Sequence, residues 1–275
     1  MALYIQSNAA SMVAQNHLSS TSNALSQTFA RLSSGYRINS AADDAAGLGI
    51  AKSMNAQIAS YTQAQQNAND GISMAQTADG AADQVSSMLT RMRTLAVESS
   101  NGDMSANDRT NLDTEFQSIT SEINRISNVT SFNGTNLLAG ASTAVKFQVG
   151  IGTTANDQVS VNFGGVDATT LGLTGTAVTS FATAQSSITA IDSAIQTLSN
   201  TREGWGSAMN RFQNSVSNLQ SISTNTSAAL SRIQDVDVAS ETANLSKEQV
   251  LSQAGAAVLA QANQAPQLAL KLLQG

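Results

Sequence analysis

Few side chains in this sequence could do covalent or metal chemistry, and their spacing argues against it. His17 is the only histidine and cysteine is absent. A metal site would therefore need several carboxylates gathered from distant parts of the chain. A single histidine also rules out the His-Glu-x-x-His helix of zinc proteases. Asp43 and Asp44 are adjacent, and neighbouring side chains on a helix diverge by about 100°. They cannot converge on a substrate as acid and base, and their place just ahead of an apolar-periodic run suits stabilisation of a helix N-terminus. Gly47-Leu48-Gly49-Ile50-Ala51-Lys52 lacks both the preceding strand and the Gly-Lys-Ser/Thr spacing of a phosphate loop. Asn128-Val129-Thr130, Asn133-Gly134-Thr135, Asn225-Thr226-Ser227 and Asn244-Leu245-Ser246 match the N-glycosylation pattern, as a chain rich in Asn, Ser and Thr will do by chance. The expectation is a protein that is not an enzyme and holds no cofactor and no metal.

What the chain does offer is surface for other protein. Of its 275 residues, 12% are charged and 4% aromatic, too few large side chains for a thick core, so a thin, helical, repetitively packed structure is expected. The net charge is −6 with a pI near 4.6 and no dense Lys/Arg run, which points away from nucleic acid and from anionic membranes. No stretch reaches the roughly 18 consecutive apolar residues of a membrane helix. The opening Met-Ala-Leu-Tyr-Ile-Gln-Ser-Asn lacks the basic and apolar regions of a secretory signal, and by itself reads as cytoplasmic.

The elements that must position this surface are legible as periodicities. No charged residue precedes Arg31 and none lies between Glu248 and Lys271. Both ends nonetheless carry helix-spaced apolar residues: Leu18, Leu25, Phe29 and Leu32 in one, Val250, Ala254, Val258, Leu259 and Ala262 in the other. A helix facing water normally has a charged face. These have only Ser, Gln and Asn opposite the apolar stripe, which suits helices surrounded by protein. From Asp43 to about Ser100 one long helix is expected, with an alanine-rich seam through Met54, Ile58, Tyr61, Ala68, Ile72, Ala75, Ala82, Val85, Leu89, Met92 and Ala96. Asn101-Gly102 is expected to end it in a left-handed C-cap. Ser105 and Asp108 suggest a capping box that opens a helix bearing Leu112, Phe116, Ile119, Ile123 and Ile126.

After Asn133-Gly134 the period becomes two. Val145, Phe147, Val149 and Ile151, then Val159, Val161 and Phe163, predict a β-hairpin within about 141–175. The stretch from Ser142 to Ser187 is expected to face outward as hairpin and loop. Beyond it lies the strongest pattern. One heptad row runs Ile188, Ile195, Arg202, Met209, Val216, Ser223, Leu230, and a second runs Ile191, Leu198, Trp205, Phe212, Leu219, Thr226, Ile233. Together they predict a coiled-coil helix, weakened at Gly204 and Gly206 by about 1 kcal/mol each relative to Ala, with a bend or fray expected there. The fold expected is mainly α: a long antiparallel helical bundle or coiled-coil rod at 43–234 with a small hairpin, and a two-helix terminal coiled coil formed by 1–42 and 235–275. Segments 1 to about 40 and about 236–275 are expected to be mobile in a free chain and to become helical on assembly, because their narrow stripes bury too little to offset the ordering of the backbone.

Arg31-Leu-Ser-Ser-Gly-Tyr-Arg-Ile-Asn-Ser-Ala-Ala-Asp-Asp-Ala-Ala-Gly-Leu-Gly-Ile-Ala51, Ser131-Phe-Asn-Gly-Thr-Asn-Leu-Leu138 and Ala254-Gly-Ala-Ala-Val-Leu-Ala-Gln-Ala-Asn-Gln-Ala-Pro-Gln267 resemble the signatures of bacterial flagellins, over roughly residues 1–140 and 180–275. The resemblance implies a filament subunit whose termini form an inner tube and whose flanking helices form a rod. The short middle suggests a minimal form without large outer domains. It further implies self-association into a helical homopolymer and passage through the flagellar type III export apparatus, which accounts for the missing signal. An export chaperone, a filament cap protein and hook-junction proteins are the other partners implied, and the filament is extracellular. Flagellins sensed by the Toll-like receptor for flagellin carry Gln-Arg-x-Arg-Glu-Leu on the long helix and a Glu on the next. Here the stretch reads Thr90-Arg91-Met92-Arg93-Thr94-Leu95, so Arg91, Leu95 and Glu115 match and Thr90 and Thr94 depart. The same resemblance leaves a hook–filament junction protein as the alternative reading, and a filament-borne enzyme or a secreted coiled-coil adhesin as readings of other classes.

Overall fold

The computed structural model describes the backbone of residues 8–273 and the side chains of 8–264. Its helices are α1 (Ala9–Ser34), α2 (Ala45–Ser99), α3 (Ala106–Val129), α4 (Phe181–Gln234) and α5 (Val238–Leu273), and its strands β1 (Ser131–Phe132), β2 (Thr135–Asn136), β3 (Thr143–Gln148) and β4 (Gln158–Phe163). The chain divides into two compact units, one of residues 1–56 with 225–275 and one of residues 57–224.

The unit of residues 57–224 has its own hydrophobic core, drawn from α2, α3, α4 and the strands. α2 and α4 run antiparallel there, as Arg93–Asp192 and Arg202–Asp79 pairs along their length require. The alanines of α2 that line the seam, Ala64, Ala68, Ala75, Ala78 and Ala82, are buried. They leave room for large side chains rather than for close backbones: an added Cβ at Gly71 would stand 2.7 Å from Cζ of Phe212 on α4. Phe212 meets Phe147 of β3 edge-on with centroids 5.3 Å apart. Trp205 stacks on Phe163 of β4 at 6.1 Å and donates its indole N–H to the Asn162 carbonyl at 2.7 Å, which satisfies the polar end of a buried ring.

On α4 the second heptad row lies deepest, with Ile191, Leu198, Trp205, Phe212 and Leu219 buried. In the first row Ile188, Ile195, Met209 and Val216 are half-buried. Leu230 and Ile233, in the other unit, are half-buried as well. Arg202 interrupts the apolar row but is paired with Asp79 at 2.6 Å and Asp83 at 3.1 Å. The helix runs through Gly204 and Gly206 without the expected fray, since Trp205 and Ala208 anchor the same turn in the core.

The structure departs from the sequence reading in four further places. Asn101 and Gly102 do not take the left-handed conformation. The last carbonyls of α2 are met instead by Ser100 and Asn101 N–H groups bonding back to Ala96 and Glu98. The Ser105 hydroxyl does cap α3 by accepting the Asp108 N–H, but the Asp108 carboxylate accepts that hydroxyl rather than a backbone N–H. Asn133-Gly134, with φ of 47° and 79°, forms a tight turn of its own joining β1 to β2, the conformation of a type I′ hairpin. Finally, the segment after β4 does not stay outside: Val166, Ala168, Leu171, Leu173 and Val178 are buried in the core. The β3–β4 hairpin itself has the predicted alternation, Val145 opposite Val161 and Phe147 opposite Val159, although Ile151 lies beyond the strand and is exposed.

Candidate assembly interface

In the unit of residues 1–56 and 225–275, α1 and α5 pair along their length, with Cα atoms approaching within 8 Å. α1 opens with the Asn8 carboxamide oxygen accepting the Ser11 N–H and closes at Gly35, whose φ of 75° lets its N–H reach the Arg31 carbonyl. Such a left-handed residue suits glycine because a Cβ would be strained. The covered row of α1 is Ser11, Ala14, Leu18, Thr21, Leu25, Thr28 and Leu32, and that of α5 is Glu241, Leu245, Glu248, Ser252, Gly255, Leu259 and Ala262. Both rows step by three and four, the spacing of a coiled-coil seam. The seam is thin: small and polar residues outnumber the leucines, and a Cβ added at Gly255 would already touch Leu18 Cδ1 at 3.4 Å. Polar stitching helps, with Asn8 Nδ2 donating to the Ala262 carbonyl at 2.8 Å and Ser11 Oγ to Asn263 Oδ1 at 2.7 Å. Both segments are helical in this structure, and each seam supplies the other's partner. Residues 1–7, 274 and 275 of the predicted terminal domain lie outside the described residues.

The connections beside this pair are bonded to each other. Tyr36 and Asp235 form an isolated bridge, Arg37 donates from its N–H and its guanidinium to the Gln234 and Ile233 carbonyls, and Val236 N–H bonds Gly35. Arg31 on α1 faces Asp43 at 3.8 Å and the buried Glu241 at 3.9 Å. Asp43 also accepts the Ser40 and Asn39 N–H groups, the Ser40 hydroxyl and the Gln27 amide. Chiefly through the Ser40 N–H, then the Gln27 side chain, these hold its carboxyl at about 2, below the usual carboxylate range. Asp44 accepts the Gly47 N–H at 2.8 Å and so caps α2. The two aspartates therefore organise a turn and a helix start.

The terminal apolar residues sort onto two faces. Leu18, Leu25, Leu32 and Leu259 lie in the seam, whereas Phe29, Val250 and Val258 point away from it, 50%, 64% and 56% exposed. Met12, Val13, Val238 and Leu251 are exposed with them. Sequence reasoning missed these four because they fall beside the stripe that a 3.6-residue period selects; the uncharged flanks are the sequence feature that accompanies them. His17 is exposed on α1, and among the described residues no cluster of His, Asp and Glu could hold a metal ion. No helix among the described residues is long and apolar enough to cross a membrane.

In the other unit, Arg91 and Glu115 are exposed and paired to each other at 2.7 Å. Leu95, grouped with them by sequence, is fully buried in the core and presents no surface to a receptor. The 3–4 spacing of α2 places Leu95 on the inner face with Met92 and Ala96.

Comparison with known proteins places this geometry. The bacterial flagellin N-terminal helical region matches residues 5–143 and the bacterial flagellin C-terminal helical region matches residues 188–273. A flagellin of Halalkalibacterium halodurans is 41% identical over 274 residues, covering 99% of this chain and all of that one. Flagellin D of Vibrio cholerae is 35% identical over an alignment of 376 positions, covering 99% and 100%. A putative flagellar hook-associated protein from Vibrio parahaemolyticus shares the fold, with a TM-score of 0.59, 16% identity and coverage of 70% of this chain and 100% of that one. With both terminal helical regions matched and a relative of the same length aligned throughout, the chain belongs to the bacterial flagellin family and is a structural subunit of the flagellar filament.

Proposed function

We propose that the subunit polymerises through α1 and α5, whose outer face, carrying Phe29, Val250 and Val258, seats against neighbouring copies. The supporting observation is the split of the terminal apolar residues between a thin intrachain seam and an exposed outer face. Ordering backbone costs about 1–2 kcal/mol per residue, and a seam of Ser, Thr, Gly and a few leucines offsets little of that. Neighbours in a helical array supply the missing surface, so α1 and α5 gain most of their stability on assembly. The unit of residues 57–224 has a core of its own and serves as the rod that spaces the copies.

This reading makes the protein an extracellular structural element that catalyses nothing. The subunit leaves through the flagellar type III export apparatus, with an export chaperone holding the C-terminal segment beforehand. It adds beneath a cap protein and abuts hook-junction proteins at the base. Recognition by the Toll-like receptor for flagellin would rest on Arg91 and Glu115 without Leu95, and restoring Thr90→Gln and Thr94→Glu would raise potency in a reporter-cell assay. Electron microscopy with a specific antibody tests the role in the filament: label along the whole shaft supports it, and a single narrow band at the base would assign the junction role instead.

A further inference from the structure

We propose that Asn101 is a site of spontaneous deamidation, reacting well ahead of the chain's other Asn-Gly pair at Asn133, because the Arg109 side chain activates the Asn101–Gly102 peptide. The reaction begins when the backbone nitrogen of the following residue, having lost its proton to solvent, attacks the side-chain carbonyl carbon of asparagine. A following glycine offers no side chain to obstruct this attack. Asn101-Gly102 and Asn133-Gly134 are the Asn-Gly pairs of the sequence, and the fold treats them differently.

At Asn101 each requirement is met. The residue and Gly102 are exposed, and nothing lies within 4 Å of where a Gly102 Cβ would stand. Among the described residues the Asn101 carboxamide makes no hydrogen bond and the Gly102 N–H donates none, so neither reacting group must be released first. The carbonyl oxygen of this same peptide accepts from Arg109 Nη2 at 2.7 Å and from the Met104 N–H at 3.4 Å. A cationic donor on the carbonyl withdraws electron density from the peptide and makes its N–H more acidic. More of the amide is then in the nucleophilic, deprotonated form at a given pH.

Asn133 and Gly134 are exposed too, and nothing lies within 4 Å of where a Gly134 Cβ would stand, so the two sites differ in backbone geometry and in the cationic donor. Asn133 is fixed at φ 47° with Gly134 at 79° in the tight turn between β1 and β2, with Phe132 opposite Thr135 and Ser131 opposite Asn136. Such a turn has a narrow backbone geometry that the ring-closing attack would have to break. Among the described residues no cation donates to the Asn133 carbonyl.

In the step at Asn101, a bond forms between Gly102 N and Asn101 Cγ. The bond from Cγ to the side-chain nitrogen breaks, and ammonia leaves with a proton from water. The resulting five-membered imide adds water at either carbonyl, opening to aspartate or to isoaspartate, so the net change is uptake of one water and loss of one ammonia. The product places a carboxylate just past the C-terminus of α2, beside Glu98, Asp103 and Asp108 and within reach of Arg109. A helix C-terminus disfavours added negative charge, so the mark weakens this turn as it accumulates.

Peptide mapping by mass spectrometry of the full chain, incubated at mildly alkaline pH, tests the proposal. The expected result is a mass gain of about 1 Da with isoaspartate at Asn101, roughly tenfold faster than at Asn133, the effect of about one unit in amide acidity. In denaturant the two sites should react at similar rates, because both precede glycine. Arg109→Gln should slow Asn101 alone, with the helical circular dichroism signal as the check on folding. Equal native rates, or a faster Asn133, would overturn the proposal even if the variant failed to fold. So would an unchanged Asn101 rate in a folded Arg109→Gln chain.

Discussion

Replacing Val250 and Val258 by serine isolates the outer face of α5 from everything else the subunit must do. Full burial of a valine side chain contributes about 1.5–3 kcal/mol. With 64% and 56% of these residues exposed in the single chain, roughly half to two-thirds of that gain is left for a neighbour to supply, about 1–2 kcal/mol each. The pair should therefore weaken subunit addition by about 2–4 kcal/mol, a rise in critical concentration of roughly 30- to 1,000-fold. Folding of the free subunit should be spared, because neither side chain lies in the seam and serine and valine have similar helix propensities. Sedimentation of polymer across a concentration series reads the critical concentration, and circular dichroism of the unassembled chain reads the helix content. An unchanged critical concentration at unchanged helicity would refute the reasoning, since it would mean that this face stays in water in the polymer.

Three other outcomes follow from the same packing. Gly71→Ala should destabilise the unit of residues 57–224 by about 1–3 kcal/mol, the cost of overpacking, because its Cβ would meet the Phe212 ring at 2.7 Å; urea unfolding measures this, and an unchanged midpoint would count against the packing described. Trp205→Phe keeps the stacking on Phe163 but strands the Asn162 carbonyl that accepts the indole N–H, at a cost of about 1–3 kcal/mol, read by the same assay. Asp43 contributes stability that is fully present above the ordinary carboxylate pKa of 3.8 and is lost as pH falls toward about 2, because its folded-state pKa is the lower one; Asp43→Asn should flatten acid unfolding of the α1–α2 turn in that window, followed by amide exchange.

The long helices were legible because a 3–4 spacing sustained over many turns fits a helix and cannot be laid on a strand of period two. The terminal pair was legible because its charges are missing. The depth of each row was not. Ile188 and Ile191 are chemically alike, yet Ile191 is buried and Ile188 half-buried, because which row of α4 faces the core is decided by the elements packed on it. Likewise Val258 and Leu259 are consecutive and apolar, yet one faces out and the other into the seam, because register against α1 is a property of the pair. Leu95 shows the converse: a motif match groups residues by sequence, whereas the fold buries Leu95 with Met92 and Ala96 on the inner face of α2. The return of Val166 to Val178 to the core was hidden by Gly and Thr, which read as loop in any window short enough to contain them. The Asn133-Gly134 turn was visible as a period change, and its type I′ chemistry was the signal that a separate small hairpin begins there.

The central claim, that the terminal helix pair is the element through which subunits join, is tested most directly by cryo-electron microscopy of filaments grown from the purified chain. The account predicts a helical tube whose innermost layer is α1 and α5, with Phe29, Val250 and Val258 buried against neighbouring copies. Filaments in which those residues face solvent, or filaments of the same form grown from a chain lacking α1 and α5, would contradict it.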